Sequence, residues 1–410
     1  MGFKMGIAGC GSFGNSFVPL YKAHPLVDEV VIADLVPERV ENFSKKYGVE
    51  RTCSSLDELL KTDVDAVAII TQRHLHGPMV IQALKAGKHV YSAVPMAIDI
   101  EDVKEIIRLV KETGLIYMVG ETSYYYPETI LCRKMFKEGK FGEFVYGEAQ
   151  YLHDMSEFYQ PYMHSGGPNW KRIAGFPPMF YPTHSVSMML GVTGAHVTQV
   201  SCMGYRDHHE DGIFGEDLND YQNPFSNETA LMRTSDGGCC RINEFRRVPT
   251  FHETGTRSSV FMSMMGTKGG FENAPLNAYW IEKETKELID VSDQITLGKC
   301  ARPSEVDEVS EEYMKTDFFS GVAPVHNIGR LPKNFSTMNN GHLGSHQFMV
   351  DDFCKAVTTN KLPPLHAWAA AAHCIPGLVA HASAIKGGEL MDVPYMGEPP
   401  ADWPMLNPDD

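Results

Sequence analysis

Over its first 122 residues the chain alternates short apolar runs with longer stretches of helical period. "FKMGIA" is a strand that leads through a glycine turn into a helix, and "VDEVVIAD" is a second strand ending in Asp34. "PERVENFSKKYG" is a helix with Pro37 at its start and Gly48 at its end, the usual placement of the two residues. "SSLDELLKT" opens on a serine cap, and "VDAVAIIT" (64–71) is apolar almost throughout, as a strand covered on both faces must be. A helix to Gly87, the strand "HVYSAVP", the helix "IEDVKEIIRLVKETG" and the strand "LIYMVGE" complete the run. Strands alternating with amphipathic helices predict a doubly wound parallel sheet, an α/β domain whose ligand crevice lies at the carboxyl ends of the strands.

After residue 122 the period changes. "GEFVYGEAQYLHD", "HVTQVSCMGYRD", "NETALMRTSDGG", "CCRINEFRRV" and "SVFMSMMGTKGGFE" have strand character with no helix between them, and Asp236-Gly237 is a hairpin signal. Residues 123–410 are therefore expected to form an α+β domain on a large open, mainly antiparallel sheet. Residues 160–178, 207–227 and 297–341 read as loops. "GHLGSHQFMVDDFCKAV" and "AWAAAAHCIPGLVAHASA" near the end read as helices, their Met and aromatic positions as core.

Composition narrows the function. Lys and Arg number 36 against 52 Asp and Glu, a net charge of −16, and so acidic a surface repels phosphate backbones, which argues against nucleic acid as a partner. The sequence has no run of about 18 uninterrupted apolar residues, so no membrane span is expected, and the start leaves no room for a signal peptide. Nine scattered cysteines, odd in number and without a CxxC, suit reduced thiols and a cytoplasmic location. The stretch "DHHEDGIFGEDLNDYQN" is rich in Asp and His but lacks helical metal-ligand spacing, so it reads as an exposed acidic loop and no metal is expected.

Gly9, Gly11 and Gly14 make a G-x-G-x-x-G pattern between the first strand and helix. The first glycine permits the tight turn, the second lets backbone N–H groups approach a pyrophosphate, and the third lets helix and strand pack closely. Asp34 follows Gly14 by 20 residues, the distance at which an acid accepts hydrogen bonds from an adenosine ribose. A 2′-phosphate there would meet a carboxylate, so NAD is the expected cofactor, with Arg39 close by pulling the other way. The crevice residues expected to hold it are Gly9, Gly11, Ser12, Phe13, Gly14, Asp34, Thr71, Gln72, His74, His76 and Pro95. Glu121 lies at another strand end, and His153, Asp154 and Trp170 are candidates, with it, for lining a substrate pocket.

The stretch "VDAVAIITQRHLHGPMVIQALKAGKHVYSAVPMAI" resembles the glucose–fructose oxidoreductase/inositol dehydrogenase (Gfo/Idh/MocA) family, in which a Rossmann domain is coupled to an open-sheet domain. The resemblance implies an NAD-dependent, sugar-active homodimer or homotetramer. Two departures stand out. The Glu-Lys-Pro lysine of that family falls at Val94, and the aspartate four residues before the catalytic histidine falls at Phe180. The histidine itself is kept as His184. "YPTH" (181–184), "VP" (94–95) and "GHLGSH" (341–346) resemble the NAD-dependent glycoside hydrolases of the α-N-acetylgalactosaminidase type, although that subgroup carries glutamate where Ala93 stands. That likeness implies His184 and Tyr181 as catalytic groups, with Tyr124 and Tyr125 equal candidates for another active-site tyrosine. It implies redox-assisted glycoside hydrolysis: transient oxidation at C3, deprotonation at C2, elimination, water addition and re-reduction. The alternatives are an NAD-dependent sugar or cyclitol dehydrogenase, and a non-catalytic dinucleotide or sugar sensor.

Overall fold

The computed structural model describes residues 2–249, 260–274, 277–297, 321–338 and 340–407. It divides into two compact units: Met1–Pro127 with Leu297–Ala371 and Met396–Asp410, and Glu128–Thr296 with Ala372–Tyr395. The sequence reading cuts the chain once, into 1–122 and 123–410. The first break lies near that cut, but two later segments return to the first unit. The return is made by backbone pairing that leaves no local sequence mark: the Val119 N–H donates to the Leu365 carbonyl (3.1 Å), and Leu362 exchanges bonds with Pro404 and Leu406.

In the first unit β1 (Phe3–Ala8), β2 (Val27–Ala33), β3 (Arg51–Cys53), β4 (Ala66–Ile69), β5 (His89–Ser92) and β6 (Tyr117–Val119) form one parallel sheet in the order β3-β2-β1-β4-β5-β6. The order reverses between β1 and β4, which opens a crevice at their carboxyl ends. Every residue of β4 is fully buried, as its unbroken apolar run requires. The helix ends follow the local signals. Pro37 opens the helix Pro37–Tyr47, and Gly48 closes it at φ +61°. Ser55 caps Leu56–Leu59 through the Glu58 N–H, and Asp99 caps Ile100–Thr113 through the Glu101 N–H, each worth about 1 kcal/mol.

In the second unit β7 (Phe144–Leu152), β8 (Val197–Arg206), β9 (Phe225–Thr234), β10 (Cys239–Phe245), β11 (Val260–Gly266), β12 (Gly269–Asn273), β13 (Ala278–Glu282), β14 (Glu287–Asp290) and β15 (Met391–Asp392) form one sheet, ordered β14-β13-β12-β11-β7-β10-β9-β8-β15. Only the central pair β7 and β10 runs parallel, and the remaining pairs are antiparallel. Asp236-Gly237 makes the β9–β10 turn, with Gly237 at φ +94°.

Two expectations about local structure fail. Residues 160–178 are not a loop: the helices Tyr159–Gly166 and Trp170–Ala174 lie there, held by Tyr159, Tyr162 and Trp170 packing on a small core of Met155, Ala174, Ile213 and Phe214. Glycine and proline in that segment hide the helical period, and the small core supplies what local propensity lacks. "GHLGSHQFMVDDFCKAV" is not one helix either. His342 and Leu343 stand at φ +47° and +52°, so the regular helix starts at His346 and ends at Thr359. The last long helix, Ala367–Ile385, is long and apolar enough by composition to cross a membrane, but 78% of that stretch is buried inside the protein, as in a core helix.

Candidate functional site

The first unit carries a nucleotide-shaped turn. Gly9 sits at φ +115°, and a Cβ there would meet the Ile70 carbonyl oxygen at 2.0 Å; one on Gly14 would meet the Gly9 oxygen at 2.5 Å. A Cβ on Gly11 would meet nothing within 4 Å. The turn is thus closed against β4 and its own helix, and open on one side, directly before the ten-residue helix Gly14–Ala23. Ser12 is exposed at the turn, and Phe13 packs edge-on against Phe17, His342 and His346. Asp34, just beyond β2, accepts the Cys10 N–H (2.8 Å) and the Val36 N–H (2.9 Å), so its carboxylate is fixed against the glycine turn; the Arg39 guanidinium lies 4.0 Å away. These residues fit a dinucleotide: an open glycine turn before a helix N-terminus, and a carboxylate oriented at the end of the neighbouring strand.

The rest of the crevice is more structural than the sequence reading expects. Gln72 precedes a short 3-10 turn, Arg73–Leu75, that carries His74, and Thr71 Oγ1 lies 3.2 Å from the Met79 sulfur. His76 is fully buried, with Nδ1 2.8 Å from the Pro95 carbonyl and Nε2 3.2 Å from the Thr71 carbonyl. Two acceptors ask for two ring protons, yet burial pulls this imidazole down to about 4. Burial decides: the ring is neutral, its proton is assigned to Nδ1 at the shorter contact, and His76 braces the rim from within. Val94 and Pro95 are buried beside it, joined by a cis peptide bond.

Glu121 is fully buried and caps the short turn Thr122–Tyr125, accepting the Ser123 N–H (2.8 Å) and hydroxyl (2.9 Å). The two neighbouring tyrosines part company here. Tyr125 donates its hydroxyl to Asp352 (2.6 Å), which also pairs with Arg330, and burial pushes the Tyr125 phenol well above its ordinary value. Tyr124 is the more exposed ring, 5.1 Å from Tyr125.

The second unit holds an aromatic cluster at the head of the helix Thr183–Thr193. The Tyr181 and His184 rings lie 5.1 Å apart, and Tyr151 of β7 lies 4.8 Å from His184 and 6.1 Å from Tyr181. Arg246, one residue beyond β10, sets its guanidinium carbon 5.1 Å from the Tyr151 ring centre and 5.9 Å from that of Tyr181. Its Nη2 donates to Glu244 (2.9 Å). Glu244 also accepts the hydroxyl of Ser185, the residue after His184. Burial pushes the Glu244 carboxyl up to about 7, against the opposing pull of Arg246, Ser185 and His184. Tyr151, Glu244 and Arg246 are residues the sequence reading does not place in the site; strand pairing of β7 with β10 brings them together.

The proposed sugar-pocket residues scatter. His153 follows β7 with its ring 5.2 Å from Tyr151, at the margin of the cluster. Asp154 caps a short turn by accepting the Ser156 N–H (2.8 Å), and Trp170 packs on Tyr159 (5.3 Å). In the acidic stretch after β8, Asp207 and Asp211 pair with Arg247. Among the described residues no group of three or more His, Cys, Asp or Glu is arranged to hold a metal, and no cysteine is in a disulfide.

Residues 3–121 match the oxidoreductase family with an NAD-binding Rossmann fold, Gfo/Idh/MocA. A glycosyl hydrolase family 109 protein of Streptomyces filamentosus is 24% identical over 314 residues, covering 67% of this chain and 59% of that protein. The match thus spans less than two thirds of that relative's length. Glycosyl hydrolase family 109 protein 1 of Bacteroides thetaiotaomicron is 24% identical over 343 residues, covering 79% of this chain and 70% of that one. The fold is shared with myo-inositol 2-dehydrogenase from Lactobacillus plantarum, with a TM-score of 0.65, 18% identity, and coverage of 96% of this chain and 100% of that one. Residues 3–121 thus match the NAD-binding Rossmann domain of the Gfo/Idh/MocA oxidoreductases, and family 109 glycosyl hydrolases are among the proteins the chain is similar to.

Proposed function

We propose that this chain is an NAD-dependent, sugar-active enzyme and that its reaction is glycoside hydrolysis through a transient oxidation. The observation that carries the proposal is the Tyr181–His184 contact, 5.1 Å between rings, in a chain whose first motif has Val94 where a lysine would stand. Gly9, Gly11, Gly14 and Asp34 would hold NAD, which supplies reversible oxidation of a sugar carbinol when bound.

The remaining work is proton transfer. His184 accepts the proton of the hydroxyl whose carbon is oxidised, an imidazole being suited to that exchange near neutrality. The ketone at C3 acidifies the C2–H, and Tyr181, acting as its phenolate, takes that proton as the anomeric group departs with the C1–O electron pair. Water then adds its hydroxyl to C1 of the unsaturated sugar and gives up its remaining proton to the departed group, Tyr181 returns the proton to C2, and His184 returns its proton as the C3 alcohol is restored. The sum is hydrolysis with no net oxidation.

A second reading, a sugar or cyclitol dehydrogenase, is supported by the fold shared with myo-inositol 2-dehydrogenase. One experiment separates them. With catalytic NAD and p-nitrophenyl α-N-acetylgalactosaminide or other p-nitrophenyl glycosides in heavy water, the hydrolase releases nitrophenol, exchanges the C2–H for deuterium and builds up no stoichiometric NADH. The dehydrogenase accumulates NADH from the free sugar and leaves C2 unexchanged.

A further inference from the structure

The loop and helix start that carry Tyr181 and His184 are tied down from below by two buried glutamates. Glu244 on β10 stands in register with Glu228 on antiparallel β9 and with Tyr151 on parallel β7, so all three side chains leave the same face of the sheet. Glu228 accepts the Met179 N–H (2.8 Å), two residues before Tyr181, and pairs with His381 (2.8 Å). Glu244 accepts the Ser185 hydroxyl on the other side of His184. Between these ties Arg246 reaches up: Nη2 contacts Glu244 and the Pro178 carbonyl (3.4 Å), and its guanidinium faces the rings of Tyr151 and Tyr181. Both glutamates are fully buried and Arg246 is 8% exposed.

We propose that Arg246, oriented by Glu244, is the positioning residue of the Tyr151–Tyr181–His184 cluster and supplies that cluster with a fixed positive charge. A guanidinium on the face of a phenol ring holds the ring by cation–π attraction, and its charge favours any neighbour that passes through an anion. Lysine would meet the charge requirement, but only the planar fork reaches Glu244, a backbone carbonyl and two ring faces together. Glu244 keeps the fork in place through its hydrogen bond to Nη2, and burial pushes its carboxyl up to about 7, against the pull of Arg246. The groups that face Glu244 are Arg246 on its own strand, Ser185 and His184 on the helix, Glu228 across on β9 and Tyr151 across on β7. The inference rests on the proposed catalytic role of Tyr181 and His184, and its test reads the cluster with and without turnover.

The test compares Arg246→Gln, Arg246→Lys and Glu244→Gln in the full chain with NAD. Each variant is first checked for an intact fold by circular dichroism and for NAD binding by fluorescence titration. Without substrate, the His184 ring resonances in histidine-labelled protein, assigned by His184→Ala, report the neighbouring Tyr151 and Tyr181 rings through their ring currents. Arg246→Gln is expected to move those resonances and to lower kcat for p-nitrophenyl glycoside cleavage about tenfold or more, with KM little changed. Arg246→Lys is expected to recover most of kcat while leaving part of the resonance shift. Glu244→Gln, which keeps an acceptor for the Arg246 fork but no charge, is expected to move the His184 resonances and to lower kcat less than Arg246→Gln does. Unmoved His184 resonances in a folded Arg246→Gln protein overturn the inference, as does an equal loss of kcat in the Lys and Gln variants. If Arg246→Gln does not fold, His184 resonances unmoved in a folded Arg246→Lys protein overturn it alone. If no glycoside is cleaved by the wild-type chain, the functional reading fails while the resonance shifts still decide the positioning role.

Discussion

Glu228 and Glu244 stand directly opposite each other on antiparallel β9 and β10, both without solvent exposure. Two like charges at that distance would repel. The pair is tolerated because each carboxyl has its own donors: His381 and the Met179 N–H for Glu228, Arg246 and Ser185 for Glu244. The site is therefore built on a polar layer rather than on an apolar core, and removing a single partner leaves an unsatisfied group inside it.

Glu228→Ala should cost about 3 kcal/mol, because it strips His381 and the Met179 N–H of their acceptor in a buried place. Glu228→Gln should cost under about 1 kcal/mol, since an amide can still accept from the backbone and a neutral imidazole can exchange its tautomer. Urea unfolding of the two variants checks this; equal losses would mean the polar layer does not depend on those bonds.

Glu244 makes stability depend on pH in a stated direction. Its folded value of about 7 lies above the ordinary glutamate value of 4.5. Between these the folded chain binds a proton that the unfolded chain has lost, so the contribution is fully present below about pH 4.5 and disappears as pH rises through 7. Relative to Glu244→Gln, the wild-type protein should lose up to about 3 kcal/mol between pH 4.5 and pH 8. Denaturation of both proteins across that range measures the difference; parallel curves would contradict it.

The glycine turn predicts a split between folding and binding. Gly9→Ala should destabilise by roughly 3 kcal/mol or more, given φ +115° and a 2.0 Å approach to the Ile70 oxygen. Gly11→Ala meets no atom within 4 Å, so its melting temperature should barely change. Its NAD affinity should fall about tenfold, or 1.4 kcal/mol, because the methyl group occupies the open side of the turn. Thermal melts and NAD titration of both variants distinguish the two effects.

Tyr124 and Tyr125 should separate in the same manner. Tyr125→Phe removes the hydroxyl that serves Asp352 and should cost about 1–3 kcal/mol of stability with turnover retained. Tyr124→Phe should, if the phenol handles a proton, lower kcat by about 100-fold. A reversed pattern would exchange the structural and chemical roles of the two rings.

The N-terminal sheet, its helix ends and its glycine turn were legible in the chain itself. Proline at position 37, glycine at 48, a serine cap at 55 and the spacing of three glycines act within a few residues of where they stand, and alternating apolar and amphipathic runs name the fold class without distant contacts. The motif at 181–184 was legible by resemblance, and the structure adds that Tyr181 and His184 touch. Only the tertiary structure decided what surrounds them. Tyr151 and Glu244 are 93 residues apart in sequence and become neighbours because β7 and β10 pair in parallel, with Glu228 brought opposite by β9. It also decided that Tyr125 rather than Tyr124 is bound to Asp352, 227 residues away, and that residues 342 and 343 turn out of the helix the pattern suggests. The physical division is one of range: backbone conformation and hydrophobic period are written locally, whereas the charge state and aim of a buried side chain depend on partners that strand pairing delivers from elsewhere.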